Sequence, residues 1–166
     1  IEEEFVRKLI AFVLINESRK FLRWKEEFKS LNKSGRIILF YGSASRNYAQ
    51  ARDIDIMIIL SNSDVKEVRD KVAEIQKILP KKIHSIEATK NDLIKSLKNK
   101  NKAIVDIIKT AIVLYGYEDY MDQDINDTSE NRMLYAKFVA QEVVKDEKIP
   151  HFTREEIDEI IEEAKK

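Results

Sequence analysis

Apolar side chains recur every three or four positions through the first part of the chain and then give way to short unbroken runs. The first pattern is typical of an amphipathic helix and predicts one helix or two over residues 2–32, the second case with a break at Ser18. Gly35 follows in a turn, because glycine tolerates the left-handed backbone that ends a helix. The apolar runs over 36–41 and 54–60 predict two strands that are buried on both faces.

Periodic and unbroken segments alternate along the rest of the chain. Helical spacing predicts helices over 64–78, 90–99, 102–115, 129–147 and from Thr153 to the end. Thr153 opens a capping box with Glu156, and Pro80 ends the helix that precedes a third predicted strand over 82–89.

The order of these elements predicts an α+β fold. A small mixed sheet of three to four strands is expected to pack with helices, flanked by N-terminal and C-terminal helices. The expected divisions are an N-terminal helical segment over 1–35, a central domain over 36–120 and a C-terminal helical segment over 121–166.

Composition narrows the chemistry that this fold can carry. The chain has 166 residues, no cysteine and two histidines, which excludes disulfides and thiol-ligated zinc. Thirty basic residues balance thirty acidic ones, so tight nucleic-acid binding by this chain itself is not expected, while a local basic patch and a segment upstream of this chain stay open as alternatives. Charged residues interrupt every apolar run before it reaches membrane-spanning length, and a cytoplasmic location is expected.

Two acidic residues at the start of the second predicted strand give the strongest chemical signal. Asp53 and Asp55 project from one face of a strand, because strand side chains alternate. Two neighbouring carboxylates repel each other and lose hydration beside a buried strand, so they favour a cation between them. Mg²⁺ suits such a pair, since it combines one or two carboxylates with phosphate oxygens.

The first predicted strand leads into Gly42 and Ser43, which indicate a sharp turn into a short helix over 44–50. The Ser43 hydroxyl is expected to cap that helix, whose first N–H groups would attract a phosphate. Arg46, one turn further on, would bind a second phosphate oxygen, with an ordinary surface salt bridge as an alternative of equal weight.

Gly42-Ser43, nine further residues and Asp53-Ile54-Asp55 resemble the signature of the polymerase β-type nucleotidyltransferases, in particular the minimal nucleotidyltransferase domains of archaea and bacteria. The resemblance covers about residues 36–60, and a weaker one continues through Ala111–Tyr117. Asn47 stands where the family usually has glycine, and Arg52 where serine is common.

The resemblance implies a Mg²⁺-dependent nucleotidyltransferase that moves a nucleoside monophosphate, with ATP as the expected donor, to a hydroxyl on a protein or other acceptor. It assigns catalysis and metal binding to Asp53, Asp55 and a third carboxylate, and triphosphate binding to Gly42, Ser43 and Arg46. Glu87 is the expected third ligand, because it is the only acid in the strand predicted over 82–89. His84 would lie on the opposite face of that strand and is the alternative.

A second hypothesis keeps the fold and changes the role. A catalytically weak antitoxin or regulatory module would act through a toxin-like partner protein, and a poor third carboxylate would mark it. Tyr115, Tyr117 and the aromatic stripe of the first helix are expected in the core, while the lysine-rich run over 95–102 is expected to be a solvated helix end.

Overall fold

The computed structural model describes the backbone of residues 3–117 and the side chains of residue 8 and of residues 11–117. The helices are α1 (Glu3–Ser18), α2 (Leu22–Glu27), α3 (Gly42–Arg46), α4 (Val65–Ile78), α5 (Lys90–Lys98) and α6 (Lys102–Thr110). The strands are β1 (Ile37–Tyr41), β2 (Asp53–Ile59), β3 (Lys82–Ala88) and β4 (Ile112–Tyr115). Short 3-10 turns lie at Arg19–Phe21, Lys29–Leu31 and Asn62–Asp64.

The four strands form one mixed sheet in the order β3-β2-β1-β4. β1 is antiparallel to both β2 and β4, whereas β2 and β3 run parallel. Parallel neighbours need a crossover connection, and α4 provides it between β2 and β3. The α+β fold with a small mixed sheet, predicted from the sequence, is confirmed.

Alternating side chains divide the sheet into two buried faces. The first, called face A, packs against α1, α5 and α6 through Ile37, Leu39, Met57, Ile59 and Val113. The opposite face B packs against α2 and α4 through Ile38, Phe40, Ile54, Ile56, Ile58 and Leu114. Ile54, Ile56 and Ile58 are fully buried, and each contributes about 1.5–3 kcal/mol to folding. Burial on both faces explains why β1 and β2 are nearly continuous apolar runs, and β2 is held rigidly as a result.

Two predicted helices need revision, and one predicted break is confirmed. The helix predicted over 102–115 ends at Thr110, and Ile112–Tyr115 instead pairs with the free edge of β1. The predicted helix over 44–50 is the shorter α3, whose N-cap residue is Tyr41 and which has no side-chain cap from Ser43. The break at Ser18 is present: the Ser18 hydroxyl donates back to the Ile15 carbonyl at 2.8 Å and lies 2.7 Å from the Tyr117 hydroxyl.

The helices predicted over 129–147 and from Thr153, and the segment 121–166, lie outside the described residues. Among the helices within residues 3–117, none is long and apolar enough to cross a membrane.

Candidate metal site

Asp53, Asp55 and His84 bring three potential metal ligands together at one end of face A. Asp55 is paired with His84 in the parallel register of β2 and β3, so both side chains project from the same face. His84 Nδ1 lies 3.3 Å from Asp53 Oδ2 and 3.6 Å from Asp55 Oδ1. Ligand atoms about 2.1 Å from a shared metal ion are about 3.0–3.5 Å apart, so these separations fit one ion.

The end of the sheet that carries these residues is open to solvent. Met57 and Ile59 follow Asp55 on the same face and are covered by the helices of face A. The side chains of Asp53, Asp55 and His84 remain 32%, 22% and 47% exposed. A bound ion could therefore keep coordination positions for water or for a second ligand.

The two carboxylates make an unfavourable pair without a cation. Burial raises the pKa of the Asp55 carboxyl above its ordinary value, and the neighbouring charge of Asp53 raises it further, while His84 acts in the opposite direction. Burial and the Asp55 charge also raise the pKa of Tyr41, which is paired with Asp55 across β1 and β2. A divalent ion would relieve this repulsion.

Gly42 adjoins the site because its backbone passes close to Asp55. Its φ of +76° lies in the left-handed region, and a Cβ added there would lie 2.2 Å from Asp55 Oδ2. Only glycine allows this approach without moving the carboxylate. The structure therefore brings Gly42 to the predicted site, as a neighbour of a ligand.

Glu87, the predicted third ligand, is not brought to this site. It stands three positions after His84, so it projects from face B, where it pairs with Ile58. Its carboxylate accepts from the Ser85 hydroxyl at 2.6 Å and from Arg69 Nε at 3.3 Å. The alternative residue, His84, takes the position beside the aspartates. The sequence left this choice open because the register between two strands decides which side chains share a face.

Ser43 and Arg46 are exposed on α3. Ser45, not Ser43, uses its hydroxyl locally and donates to the Gly42 carbonyl at 2.9 Å. A role for Ser43 and Arg46 in binding phosphate stays a prediction.

These features define an α+β domain with a candidate divalent-cation site made of two carboxylates and one imidazole. Over part of its length the chain is similar to archaeal Lon proteases. It is 54% identical over 59 residues to the archaeal Lon protease of Thermococcus kodakarensis, a stretch that covers 36% of this chain and 9% of that protein. It is 52% identical over 59 residues to the archaeal Lon protease of Archaeoglobus fulgidus, covering 36% of this chain and 10% of that protein. No protein-family profile and no solved structure matches the chain.

The relatives correct the identification made from the motif. The proteins that are 52–54% identical to this chain over a 59-residue stretch are named as Lon proteases. The predicted nucleotidyltransferase family, the predicted transferase activity and the antitoxin alternative are therefore overturned, and the comparisons support only a similarity to Lon proteases over a 59-residue stretch. A glycine, a serine and two aspartates at a given spacing can place ligands around a cation without fixing the reaction. The matched stretch spans about a tenth of the length of these relatives.

Proposed function

We propose that this chain, which is similar to archaeal Lon proteases over 59 residues, binds a divalent metal ion through Asp53, Asp55 and His84. One observation carries the proposal: three ligand atoms, one from each of these residues, lie within 4.8 Å of one another. They are held by two hydrogen-bonded strands of a rigid sheet, so the site needs little rearrangement to accept an ion.

The ligand chemistry favours some ions over others. Mg²⁺, expected from the aspartates alone, prefers oxygen ligands, whereas an imidazole nitrogen suits Zn²⁺. Mn²⁺ binds carboxylates as Mg²⁺ does and, as a transition-metal ion, also accepts an imidazole nitrogen. Two carboxylates also balance the charge of one divalent ion. We therefore rank Mn²⁺ and Zn²⁺ ahead of Mg²⁺.

The open side of the ion would accept a phosphate-bearing ligand. The nucleoside triphosphate expected from the sequence fits this role as a bound ligand, with its phosphate oxygens completing the coordination. Exposed Arg46 follows Gly42 by one turn and would add a charge-assisted hydrogen bond to such a ligand. A cytoplasmic location, where nucleotides are abundant, belongs to the same proposal.

Calorimetric titration of the whole chain with MnCl₂, ZnCl₂ and MgCl₂ tests the metal site. We expect His84→Gln to weaken Mn²⁺ or Zn²⁺ binding more than about tenfold, because losing a ligand costs at least as much as losing a residue that only orients one. Glu87→Gln is the matched control, since Glu87 projects from face B, and it should bind as the wild type does. Equal binding by wild type and by Asp53→Asn/Asp55→Asn would overturn the proposal.

A second candidate function follows from the sequence relatives. The 54% identity over 59 residues to an archaeal Lon protease supports a role in a Lon-type protease assembly. The test adds this chain to the archaeal Lon protease of Thermococcus kodakarensis during hydrolysis of an unfolded protein. Co-elution or a changed rate is expected. Neither effect at a several-fold excess of this chain would exclude the role.

A further inference from the structure

Lys81 joins the loop over 47–51, which leads into β2, to the start of β3. Its ammonium group donates to the carbonyl oxygens of Tyr48 and Ala51, and to that of Ala49 at 3.4 Å. An ammonium group has three donors and no acceptor, so these carbonyls satisfy it completely. The same nitrogen lies 4.4 Å from the centre of the Tyr48 ring, in a cation–π contact.

The contact lies where both ligand-bearing strands begin. Ala51 stands two residues before Asp53, and Lys81 stands three residues before His84. Asp53 and Lys82 form the first registered pair of β2 and β3. Lys81 therefore fastens the two strands just ahead of the residues whose side chains meet at the candidate site.

We infer that Lys81 is a positioning residue for the metal site, because it fixes the separation between the Asp53 carboxylate and the His84 imidazole. The inference rests on the proposed metal function. Without the ammonium group, the carbonyls of the loop would lose their common donor. The loop would then shift more easily, and Asp53 with it.

Trp24 gives a readout of this loop that does not depend on metal. It is the only tryptophan of the chain, and its ring centre lies 5.1 Å from that of Tyr48. Movement of the loop over 47–51 changes the surroundings of Trp24, so its emission reports whether Lys81 holds the loop. The metal titration then reports whether holding the loop matters for the site.

The test compares Lys81→Met, which keeps the apolar stem and loses the donors, with Lys81→Arg, which keeps the charge and donors. We expect Lys81→Met to weaken Mn²⁺ binding about ten- to a hundredfold and to shift Trp24 emission, and Lys81→Arg to recover most of both. Lys77→Met removes an exposed lysine of α4 that pairs only with Glu74 among the contacts described, and should change neither.

Several outcomes separate the inference from the proposed function. Wild-type Mn²⁺ affinity in a folded Lys81→Met variant overturns the inference and leaves the metal site standing. No metal binding by the wild type overturns both, while a shift in Trp24 emission in Lys81→Met would still show that Lys81 holds the loop. If Lys81→Met does not fold, Lys81→Gln is measured against the same criteria, since it loses the charge and keeps two of the three N–H donors.

Discussion

Gly42 and Gly35 share a backbone conformation and differ in their surroundings. Their φ values are +76° and +74°, but a Cβ at Gly42 would meet Asp55, whereas a Cβ at Gly35 would meet nothing within 4 Å. We expect Gly35→Ala to cost about 1 kcal/mol in the free energy of unfolding, the usual penalty for a left-handed alanine. Gly42→Ala should cost more and should also weaken Mn²⁺ binding, because Asp55 must move. Urea unfolding and metal titration of both variants measure this difference, and equal effects would contradict it.

Asp55 itself opposes folding when no metal is bound. Its pKa is raised in the folded protein, so the folded state holds the proton more tightly, and stability falls as the pH rises through that range. At pH 7, Asp55→Asn should therefore raise the thermal midpoint of the metal-free protein and abolish metal binding. Asp70→Asn, at an exposed position on α4, is the control. A lower midpoint for Asp55→Asn would contradict the repulsion described here.

The sequence alone predicts which side chains share a face within one strand. It does not predict which residues of two neighbouring strands lie together. Asp53 and Asp55 could be placed on one face from the sequence, because two residues apart in a strand means the same side. Whether His84 or Glu87 joins them depends on the register of β2 against β3, which packing over the whole sheet determines.

At the scale of elements, α5 begins with a complete capping box. The Thr89 hydroxyl accepts from the Asp92 N–H at 3.1 Å, and the Asp92 carboxylate accepts from the Thr89 N–H at 3.0 Å. Thr89→Ala should lower the free energy of unfolding by about 1 kcal/mol. Among the contacts described, the Thr110 hydroxyl donates only to the Asp106 carbonyl one turn earlier. Thr110→Ala should therefore change the free energy of unfolding by less than about 0.5 kcal/mol. Chemical denaturation measures the free energy of unfolding of both variants. A larger loss of stability in Thr110→Ala than in Thr89→Ala would be inconsistent with the cap.

The turn before β1 is tied to α4 by a buried arginine. Arg36 is 1% exposed; it lies 3.3 Å from Asp64 and from Glu67, and donates to the Leu31 carbonyl at 2.8 Å. Arg36→Met should cost about 1–3 kcal/mol, because the buried Leu31 carbonyl loses its donor. Lys33→Met removes a half-exposed cation from the same acids and should cost clearly less than Arg36→Met. Thermal and urea unfolding measure both, and equal costs would argue against a special role for the buried pair.

β4 shows why one element escaped prediction. Ile112–Tyr115 continues the apolar pattern of α6, so periodicity alone extends the helix. The free edge of β1 instead captures these residues as a strand, and β-branched Ile112 and Val113 suit that conformation. Tertiary pairing outweighed the local pattern here.

For the whole molecule, the pH dependence of stability combines carboxyl pKa values that are raised in the folded protein with others that are lowered. The pKa of Asp64 is lowered mainly by its hydrogen bond with Lys33, that of Glu67 mainly by Lys71, and that of Asp92 mainly by Thr89. These groups contribute stability above their unfolded pKa values, and it is lost as the pH falls through their folded values. We expect the thermal midpoint of the metal-free protein to fall when the pH is lowered below about 4. A midpoint that rises on acidification in that range would contradict these pairings.

The fold of the described residues, 3–117, could be predicted because the alternation of helical and strand-like segments is strong from residue 36 to residue 110. The function could not be predicted in the same way. A short pattern of a glycine, a serine and two aspartates defines where a cation can bind, but the relatives come from Lon proteases. The sequence motif indicates where a cation can bind. It does not indicate which family of proteins the chain is similar to.

The position of β3 in the sheet has a further consequence for local dynamics. Within the described sheet β3 is an edge strand with β2 as its one neighbour, and edge strands open more readily than interior ones. An ion shared by His84 and the two aspartates would join the edge strand β3 to the interior strand β2. Amide hydrogens that join Lys82–Ala88 to β2 should then exchange more slowly in the presence of Mn²⁺, while those of β1 keep their rates. The ion would thus set how often the edge of this sheet opens.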